Sequence, residues 1–342
     1  MKLLIVTQVL DKHHPILGFF HRWVEEFSKH CEKVTVICLQ KGEYTLPANV
    51  SVYSLGKEIG KSKIGYLTTF YKLIWRLRHE YDSVFVHMNQ IYVILGAPLW
   101  RAQGKKVGLW YAHGSVPQSL KFAVTLSDKV FTSTEEGLRI DTPERVLVGQ
   151  GIDTDNFKEI SKTPSDTLRI ITVGRIAQSK NIETLLTACA RLKEANIQFH
   201  FTIVGVPITE AEHLYDIKMK ALTAYLGLID NVTWAGPVSN HQLPTVLQQS
   251  DIFIHDGSTN SLDKALLEAV LCGCVVVSSN PAYKTLTHEL APEYLFTLKD
   301  EKKLADIIKK YHQYTEKMLK VKSMVKEEFT ISNLISGIVS QY

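Results

Sequence analysis

Two cations follow a predicted strand in a pattern that suits phosphate binding. The strand at 168–173 ends at Gly174, and Arg175 and Lys180 come next, five positions apart, at the opening of a predicted helix. An arginine fork can chelate phosphate oxygens, a lysine supplies a mobile point charge, and a helix N-terminus attracts anions. The segment therefore predicts a clamp for a diphosphate. The alternative is two solvated surface cations.

A second segment places polar groups at the start of another helix. Asn260 and Ser261 precede a helix predicted over 262–271, and Glu268 lies inside it. Free amides at a helix start, together with Asn260 and Glu268, would grip a ligand along one helix face. The alternative is an N-capped helix with a solvated glutamate. Glu268 lies among leucines, alanine and valine, which disfavours a solvated position.

Two loops in the first half carry weaker signals. Gly18 follows the first strand, and His113 follows the strand at 106–111. Both have a structural alternative, because a lone glycine in a turn and a lone histidine usually serve the fold. The loop around Gly18 lacks the G-x-G-x-x-G pattern, which disfavours a nicotinamide or flavin oxidoreductase.

The elements that position these residues alternate along the chain. Short runs rich in Val, Ile and Phe, such as 168–173 and 275–278, alternate with helical patterns, such as the apolar stripe over 19–30, as in parallel sheets wrapped by helices. The pattern stops near Val148 and restarts after Thr163-Pro164-Ser165. A length of 342 residues is about twice that of a usual single domain. We expect two Rossmann-like domains, with ligands beyond the carboxyl ends of the strands.

The order of these segments resembles a known family. From Arg169 to Ser279 the chain is similar to the C-terminal half of the retaining, GT-B-type glycosyltransferases called family 4 or group 1. The matching segments, in order, are 174–180, 203–205, 232–236, 243–254 and 260–273. A weaker resemblance through Gly18, His87, 112–114 and 151–153 extends it over nearly the whole chain.

The resemblance implies a fold class and a domain division. The fold is α/β, of the GT-B type, with two Rossmann-like parallel-sheet domains facing a central cleft. Residues 1–158 would form the acceptor domain, and a C-terminal helix at 325–342 would pack back on it. Residues 159–324 would form the nucleotide-sugar donor domain.

The resemblance also implies roles for individual residues. Arg175 and Lys180 would bind the donor diphosphate and neutralise the charge that builds on the leaving nucleotide. Glu268 would hold the ribose hydroxyls. His113 would contact the transferred sugar and position it, without forming a covalent intermediate. The donor-binding residues would be Gly18, Gly174, Gly205, Gly236, Asn260, Ser261, Leu262, Asp263 and Glu268.

One position departs from the family pattern. The family usually has a glutamate eight positions before the one matched by Glu268, and this chain has Asn260 there. An amide can hydrogen-bond a sugar hydroxyl but brings no charge, so the donor-sugar preference and the activity come into question. Asp256 and Asp263 are nearby carboxylates outside the matching position.

The expected function is a retaining, metal-independent hexosyl transfer without a cofactor. The donor would be a nucleoside-diphosphate sugar, with UDP favoured, and the acceptor a glycan or lipid-linked molecule in surface polysaccharide or glycolipid synthesis. One alternative is a catalytically weakened nucleotide-sugar-binding protein that acts as a partner subunit. A sugar-nucleotide epimerase is a third reading, but the cleft lacks a convincing acid/base carboxylate pair.

The amino-acid composition limits the expected binding partners and the expected cellular compartment. The 39 Lys and Arg against 35 Asp and Glu leave a net charge of +4, too small to predict a nucleic-acid partner. The five cysteines are scattered without metal-ligand spacing, and we expect reduced thiols in the core. No signal peptide or apolar run of about 20 residues is evident, so a cytoplasmic location is expected.

Residues 57–78 combine cations with aromatic side chains. Six Lys or Arg and four aromatic residues lie there, and Glu58 is the single acid. Such a helix suits an anionic membrane surface at the inner face of a membrane. The alternative is an ordinary helix that packs Leu67, Ile74 and Leu77 on the sheet and solvates its basic side.

Overall fold

The computed structural model describes residues 1–257, 261–311 and 315–342. They divide into two compact units. Unit 1 comprises Met1–Gly151 and Thr330–Tyr342, and unit 2 comprises Ile152–Phe329. The sequence placed the division at 158/159. It lies earlier because Phe157 is buried in the core of unit 2, and the Ile152 amide donates to the Phe329 carbonyl at 2.8 Å.

The strands follow the predicted alternation along both units. They are β1 (Lys2–Leu10), β2 (Lys33–Lys41), β3 (Val50–Ser54), β4 (Ser83–His87), β5 (Lys106–Trp110), β6 (Lys129–Thr132), β7 (Arg145–Leu147), β8 (Leu168–Val173), β9 (Phe199–Val204), β10 (Val232–Gly236), β11 (Ile252–His255) and β12 (Val275–Ser278).

The helices lie between the strands and at the end of the chain. They are α1 (Phe19–His30), α2 (Lys63–Arg76), α3 (Ile91–Ala102), α4 (Gln118–Leu126), α5 (Ile182–Glu194), α6 (Glu210–Tyr225), α7 (Leu243–Gln248), α8 (Lys264–Leu271), α9 (Pro281–Thr287), α10 (Glu301–Lys309), α11 (Thr315–Glu328) and α12 (Ile331–Val339).

Unit 1 is built on a seven-stranded sheet in the order β3-β2-β1-β4-β5-β6-β7. Every strand pairing in it is parallel. Consecutive residues of β1 and β4 are buried, which is expected where helices cover both faces of a parallel sheet. Helix α1 packs on this sheet through Phe20, Trp23, Val24 and Phe27, the stripe that the sequence predicts.

The end of the chain differs from the predicted single helix at 325–342. Helix α11 belongs to unit 2 and α12 to unit 1, with the break at Phe329 and Thr330. The Thr330 hydroxyl accepts from the Asn333 amide at 3.0 Å and so caps a new helix. The apolar side of α12 packs on α1.

Unit 2 is built on a five-stranded parallel sheet in the order β10-β9-β8-β11-β12. Strand β8 lies at the centre, and the chain reverses its direction of travel across the sheet between β10 and β11. The loops after β8 and β11 therefore diverge from neighbouring central strands. Ligands of open α/β sheets bind at such a switch point.

Two further properties bear on the sequence predictions. All five cysteines are buried and form no disulfide, which confirms the predicted reduced core thiols. Within 1–257, 261–311 and 315–342, no helix has both the length and the hydropathy needed to cross a bilayer.

Candidate functional site

The loop after β8 is fixed to the neighbouring strand ends. The Gly174 amide donates to the Val204 carbonyl at 3.0 Å, and the Ile176 amide donates to the Val206 carbonyl at 3.2 Å. Asn181 ends the loop with a φ of 40°, and its side-chain amide donates to the Asp256 carbonyl at 3.1 Å. The sequence did not single out Asn181, although asparagine is one of the few residues that favour this backbone conformation. The loop is held in place before any ligand binds.

Lys180 lies at the centre of a charged cluster. Its ammonium group forms an ion pair with the Asp263 carboxylate and lies 3.3 Å from His255 Nε2. The same ring nitrogen lies 3.0 Å from Asp263 Oδ2, and His255 Nδ1 lies 3.2 Å from the Ser278 hydroxyl. The structure thus brings together two predicted residues and one, His255, that the sequence analysis missed. The sequence signal that could have identified His255 is its position at the end of β11.

The cluster sets the protonation states of its members. Burial lowers the pKa of His255, and the charge of Lys180 lowers it further. Burial alone would raise the pKa of Asp263, but Lys180 and His255 outweigh that effect and hold it well below its usual range. Both shifts favour a carboxylate on Asp263 and a neutral imidazole on His255 at neutral pH.

Arg175 projects further into solvent. Its side chain is 46% exposed, and its Nη1 lies 3.4 Å from Glu212 Oε1. Glu212 is already held in the capping box of α6, where its carboxylate accepts from the Ile208 and Thr209 amides. A contact at that distance to an occupied carboxylate is weak. Arg175 can therefore give up its contact with Glu212 and turn towards an anion at little cost in free energy.

The start of α8 lies beside Lys180. The helix begins at Lys264, two residues later than predicted, and Asp263 is its N-cap residue. The Ser261 carbonyl accepts from the Asn280 side chain at 3.1 Å, and Leu262 is buried. These contacts fix the backbone that leads into the helix. Asn260, the position that departs from the family pattern, lies outside the described residues.

Glu268 is enclosed in unit 2. Only 4% of the residue is exposed, and Lys264 Nζ lies 3.8 Å from its Oε1. Burial raises the pKa of Glu268 and lowers the pKa of Lys264, and the pairing between them opposes both shifts. The solvated alternative for Glu268 is therefore wrong. Its proposed contact with a ribose stays a prediction.

The glycines at the strand ends allow a close backbone approach. Gly205 has a φ of +141°, and a Cβ there would lie 1.8 Å from the Gly174 carbonyl oxygen. The Gly205 amide donates to the Gly236 carbonyl at 2.8 Å. The ends of β8, β9 and β10 are thus joined through three of the predicted donor-binding glycines. No side chain could replace the hydrogen of Gly205 without moving the loop that carries Arg175.

Asp256 has a structural role. Its carboxylate is completely buried and accepts from the Ser279 hydroxyl at 2.6 Å and from the Lys299 amide at 3.1 Å. Lys299 has a φ of 64°, an uncommon conformation that this contact helps to hold. Of the two carboxylates near position 260, Asp263 is the one that reaches the cluster.

Two predicted residues lie in unit 1. Gly18 caps α1, and a Cβ there would lie 2.6 Å from the His14 carbonyl oxygen. His113 is exposed after β5, where its amide donates to the Gly137 carbonyl at 2.9 Å and its Nδ1 accepts from the Ser115 amide at 3.2 Å. The predicted roles of Gly18 and His113 stay predictions.

A separate cavity of about 620 Å³ lies elsewhere in unit 2. Lys162 on its wall donates to the Ser250 and Gly273 carbonyls, which directly precede β11 and β12. The cavity is therefore at the amino ends of the strands, opposite the edge where parallel sheets bind ligands. We place the candidate site at Lys180 and not in this cavity.

Comparison with known proteins identifies the family of the chain. The family described as glycosyl transferases group 1 matches residues 153–327, just over half of the chain. The chain belongs to this family. Its matched segment contains every predicted donor-site residue of unit 2.

Two relatives are bacterial glycosyltransferases whose names refer to colanic acid and amylovoran biosynthesis. The chain is 28% identical over 144 residues to the putative colanic acid biosynthesis glycosyltransferase WcaL of Escherichia coli (strain K12), covering 40% of this chain and 34% of WcaL. It is 29% identical over 136 residues to the amylovoran biosynthesis glycosyltransferase AmsK of Erwinia amylovora, covering 38% of this chain and 32% of AmsK. The matched part spans about a third of the length of these relatives.

Solved structures of the same architecture cover the whole chain. Anabaena Alr3699/HepE in complex with UDP-glucose superposes with a TM-score of 0.78 at 17% identity, over 99% of this chain and 100% of that one. Sucrose-phosphate synthase from Thermosynechococcus elongatus gives a TM-score of 0.78 at 14% identity, over 100% and 98%. These likenesses confirm the predicted fold class, two Rossmann-like parallel-sheet domains of the GT-B type.

Proposed function

We propose that the chain is a glycosyltransferase that moves a hexosyl group from a UDP-sugar to a glycan or lipid-linked acceptor. The observation that carries the proposal is the position of Arg175 and Lys180, at the carboxyl edge of the unit 2 sheet and beside the start of α8. The names of the two relatives refer to colanic acid and amylovoran biosynthesis, which supports a role in surface polysaccharide or glycolipid synthesis. The UDP-glucose bound in a similar fold supports UDP as the nucleotide of the donor.

The proposed chemistry relies on the two cations. As the glycosidic bond of the donor breaks, negative charge builds on the leaving diphosphate, and Arg175 and Lys180 stabilise that charge. Two side-chain cations supply the neutralisation, so we propose a reaction that needs neither metal nor cofactor. We further propose retention of configuration, with the leaving phosphate accepting the proton of the acceptor and His113 positioning the sugar.

Nucleotide binding tests this proposal. In a thermal-shift screen against UDP, GDP, ADP, TDP and CMP, we expect UDP to raise the melting temperature most. We expect the same shift in Mg²⁺ and in EDTA, because the anion is held by Arg175 and Lys180. A shift that requires Mg²⁺ would contradict metal independence, and a larger shift with another base would contradict the choice of UDP.

One observation favours a second candidate, a catalytically weakened partner subunit that binds nucleotide-sugar. Asp263 already neutralises Lys180 in the empty site, which weakens the attraction for a diphosphate. Saturable binding of UDP-sugars without release of UDP, across a broad acceptor panel, would favour this candidate over the enzyme.

We also propose that unit 1 binds an anionic membrane surface through the outer face of α2. This face carries Ile64, Leu67, Tyr71 and Trp75, spaced three and four positions apart and all exposed. Ile64 is 75% exposed and Trp75 is 55% exposed. The opposite face buries Phe70, Leu73 and Ile74, and exposed cations flank the outer face at Lys61, Lys63, Lys72 and Arg76.

This arrangement differs from the ordinary packed helix considered above: of the three residues expected to pack on the sheet, Ile74 and Leu77 are buried but Leu67 is exposed. An apolar stripe bordered by cations suits the interface of an anionic bilayer, where a lipid-linked acceptor would be met. It supports a peripheral location at the inner face of a membrane.

Vesicle co-sedimentation tests the outer face of α2. We expect the double variant Ile64→Ser/Trp75→Ser to bind anionic vesicles about tenfold more weakly at low salt, because two apolar anchors are lost. A matched control is Leu214→Ser/Tyr225→Ser, which removes exposed apolar side chains from α6 in unit 2. Equal recovery of the wild-type protein with neutral and anionic vesicles would refute the membrane proposal.

A further inference from the structure

Three elements bring titratable groups together at the candidate site, and Lys180 lies 75 residues before His255 and 83 before Asp263. Lys180 comes from the loop after β8, His255 from the end of β11 and Asp263 from the N-cap of α8. The His255 side chain is only 2% exposed, that of Lys180 is 17% exposed and that of Asp263 is 31% exposed. The contacts among them are therefore largely shielded from solvent, and each charge depends on its neighbours.

The hydrogen bonds around His255 are not all compatible. A neutral imidazole has one donor nitrogen and one acceptor nitrogen. If Nε2 donates to Asp263, it presents an N–H to the Lys180 ammonium 3.3 Å away; if Nε2 accepts from Lys180, it presents a lone pair to Asp263. The empty site is therefore satisfied by the Lys180–Asp263 ion pair, and the ring serves one of the two partners at a time.

Binding of a diphosphate would change this balance. The groups that face His255 are Lys180, Asp263 and the Asp256 carboxylate, together with the Ser278 hydroxyl. When a diphosphate engages Lys180, the ammonium no longer neutralises Asp263 alone, and a second anion lies close to that carboxylate. A partly buried carboxylate that loses its counter-charge and gains an anionic neighbour is destabilised. A positive charge is needed nearby, and the imidazole is the group able to gain one.

We propose that His255 is a positioning residue of the donor site, which takes up a proton from solvent and becomes the counter-charge of Asp263 when a donor diphosphate engages Lys180. The protonated ring donates from Nε2 to Asp263 and from Nδ1 to Ser278, so both contacts are satisfied. This inference rests on the proposed donor site. Burial and Lys180 keep the pKa of His255 below 6.5 in the empty site, so the proton arrives only with the anion.

The direction of the pH dependence follows from linkage. Binding raises the pKa of His255, so the donor binds best at low pH, and its affinity falls as the pH rises from the lowered pKa of the free protein to the raised pKa of the complex. The limiting slope is a tenfold rise in Kd per pH unit for one linked proton. UDP-glucose is the suitable probe, because a terminal phosphate such as that of UDP itself titrates near pH 6, and a diphosphate diester does not.

Calorimetric titration measures the proton directly. UDP-glucose is titrated into the full-length protein at pH 7.5, in buffers of different ionisation enthalpy and in the presence of EDTA. We expect the uptake of close to one proton per UDP-glucose bound by the wild-type protein. Binding with no proton uptake would overturn the inference while leaving the proposed donor site intact, whereas no binding at all would count against the donor site.

Variants assign the proton to its residue. His255→Gln should still bind UDP-glucose but without proton uptake and with a flat pH profile, and Asp263→Asn should do the same because the ring loses its anionic partner. His288→Gln, which changes an exposed histidine of unit 2, is the matched control and should keep the wild-type uptake. Undiminished uptake in Asp263→Asn, or in a folded His255→Gln protein, would overturn the assignment.

Discussion

Replacing Lys180 with alanine should lower donor turnover by about a hundredfold to a thousandfold and weaken UDP binding about tenfold to a hundredfold. A charge-assisted contact contributes about 1.5 to 3 kcal/mol, and stabilisation of charge in the transition state contributes more. The change also leaves the Asp263 carboxylate beside the donor without its ion-pair partner. Release of UDP from a UDP-sugar, followed as a function of donor concentration, measures both effects.

The effect of the unpaired Asp263 carboxylate on donor binding can be separated from the effect of losing the Lys180 cation. The double variant Lys180→Ala/Asp263→Asn should recover part of the binding, because it removes the unpaired carboxylate. Lys302→Ala, which changes an exposed lysine on α10 of unit 2, is the control for loss of one positive charge. Equal donor affinity and turnover in Lys180→Ala, Lys302→Ala and the wild-type protein would show that Lys180 does not bind the donor.

Replacing Gly205 with alanine should lower the free energy of unfolding of unit 2 by about 3 kcal/mol or more. The new Cβ would lie 1.8 Å from the Gly174 carbonyl oxygen, and the φ of +141° is one that L-residues rarely adopt. Backbone strain and overpacking each cost about 1 to 3 kcal/mol. Because the neighbour is backbone, relief of the clash would move the loop of Arg175 and Lys180. Calorimetric unfolding with and without UDP measures both consequences.

Gly227→Ala provides the matched control for this prediction. Gly227 also belongs to unit 2 and has a φ of +66°, but the nearest atom to a new Cβ is the Lys193 ammonium nitrogen at 3.8 Å. That variant should lose about 1 kcal/mol from backbone strain alone and should keep UDP binding. Similar losses of stability in Gly205→Ala and Gly227→Ala would show that the close contact between Gly205 and the Gly174 carbonyl adds no further cost.

Sequence alone predicted the parts of the fold where periodicity is strong. Strands β8 and β12 and helix α1 have the predicted bounds, because continuous apolar runs and a clear helical stripe define them. Helix α3 was missed because it is apolar over most of its length and contains Pro98, so no stripe stands out. Strand β3 was missed because its residues are only partly buried, which leaves little pattern to detect.

Sequence alone could predict those residues of the candidate site that are marked by motif spacing or by a place at the end of a strand. Arg175 and Lys180 were predicted from their position after a strand, and Asp263 was predicted from the family resemblance. His255 and Asn181 were missed, since their roles depend on contacts with segments about 75 residues away in the sequence. The burial of Glu268 was inferred from its apolar neighbours, but its pairing with Lys264 required the structure.

The most direct test of the central claim extends the nucleotide screen to Arg175→Ala and to turnover of UDP-sugars. UDP-glucose, UDP-galactose and UDP-N-acetylglucosamine are offered in EDTA to the wild-type protein, to Arg175→Ala and to Lys302→Ala, and the release of UDP is followed. The account predicts metal-independent UDP release from at least one donor by the wild-type and Lys302→Ala proteins, and its loss in Arg175→Ala. Binding without release would favour the partner subunit, and unchanged release by Arg175→Ala would contradict the placement of the donor site.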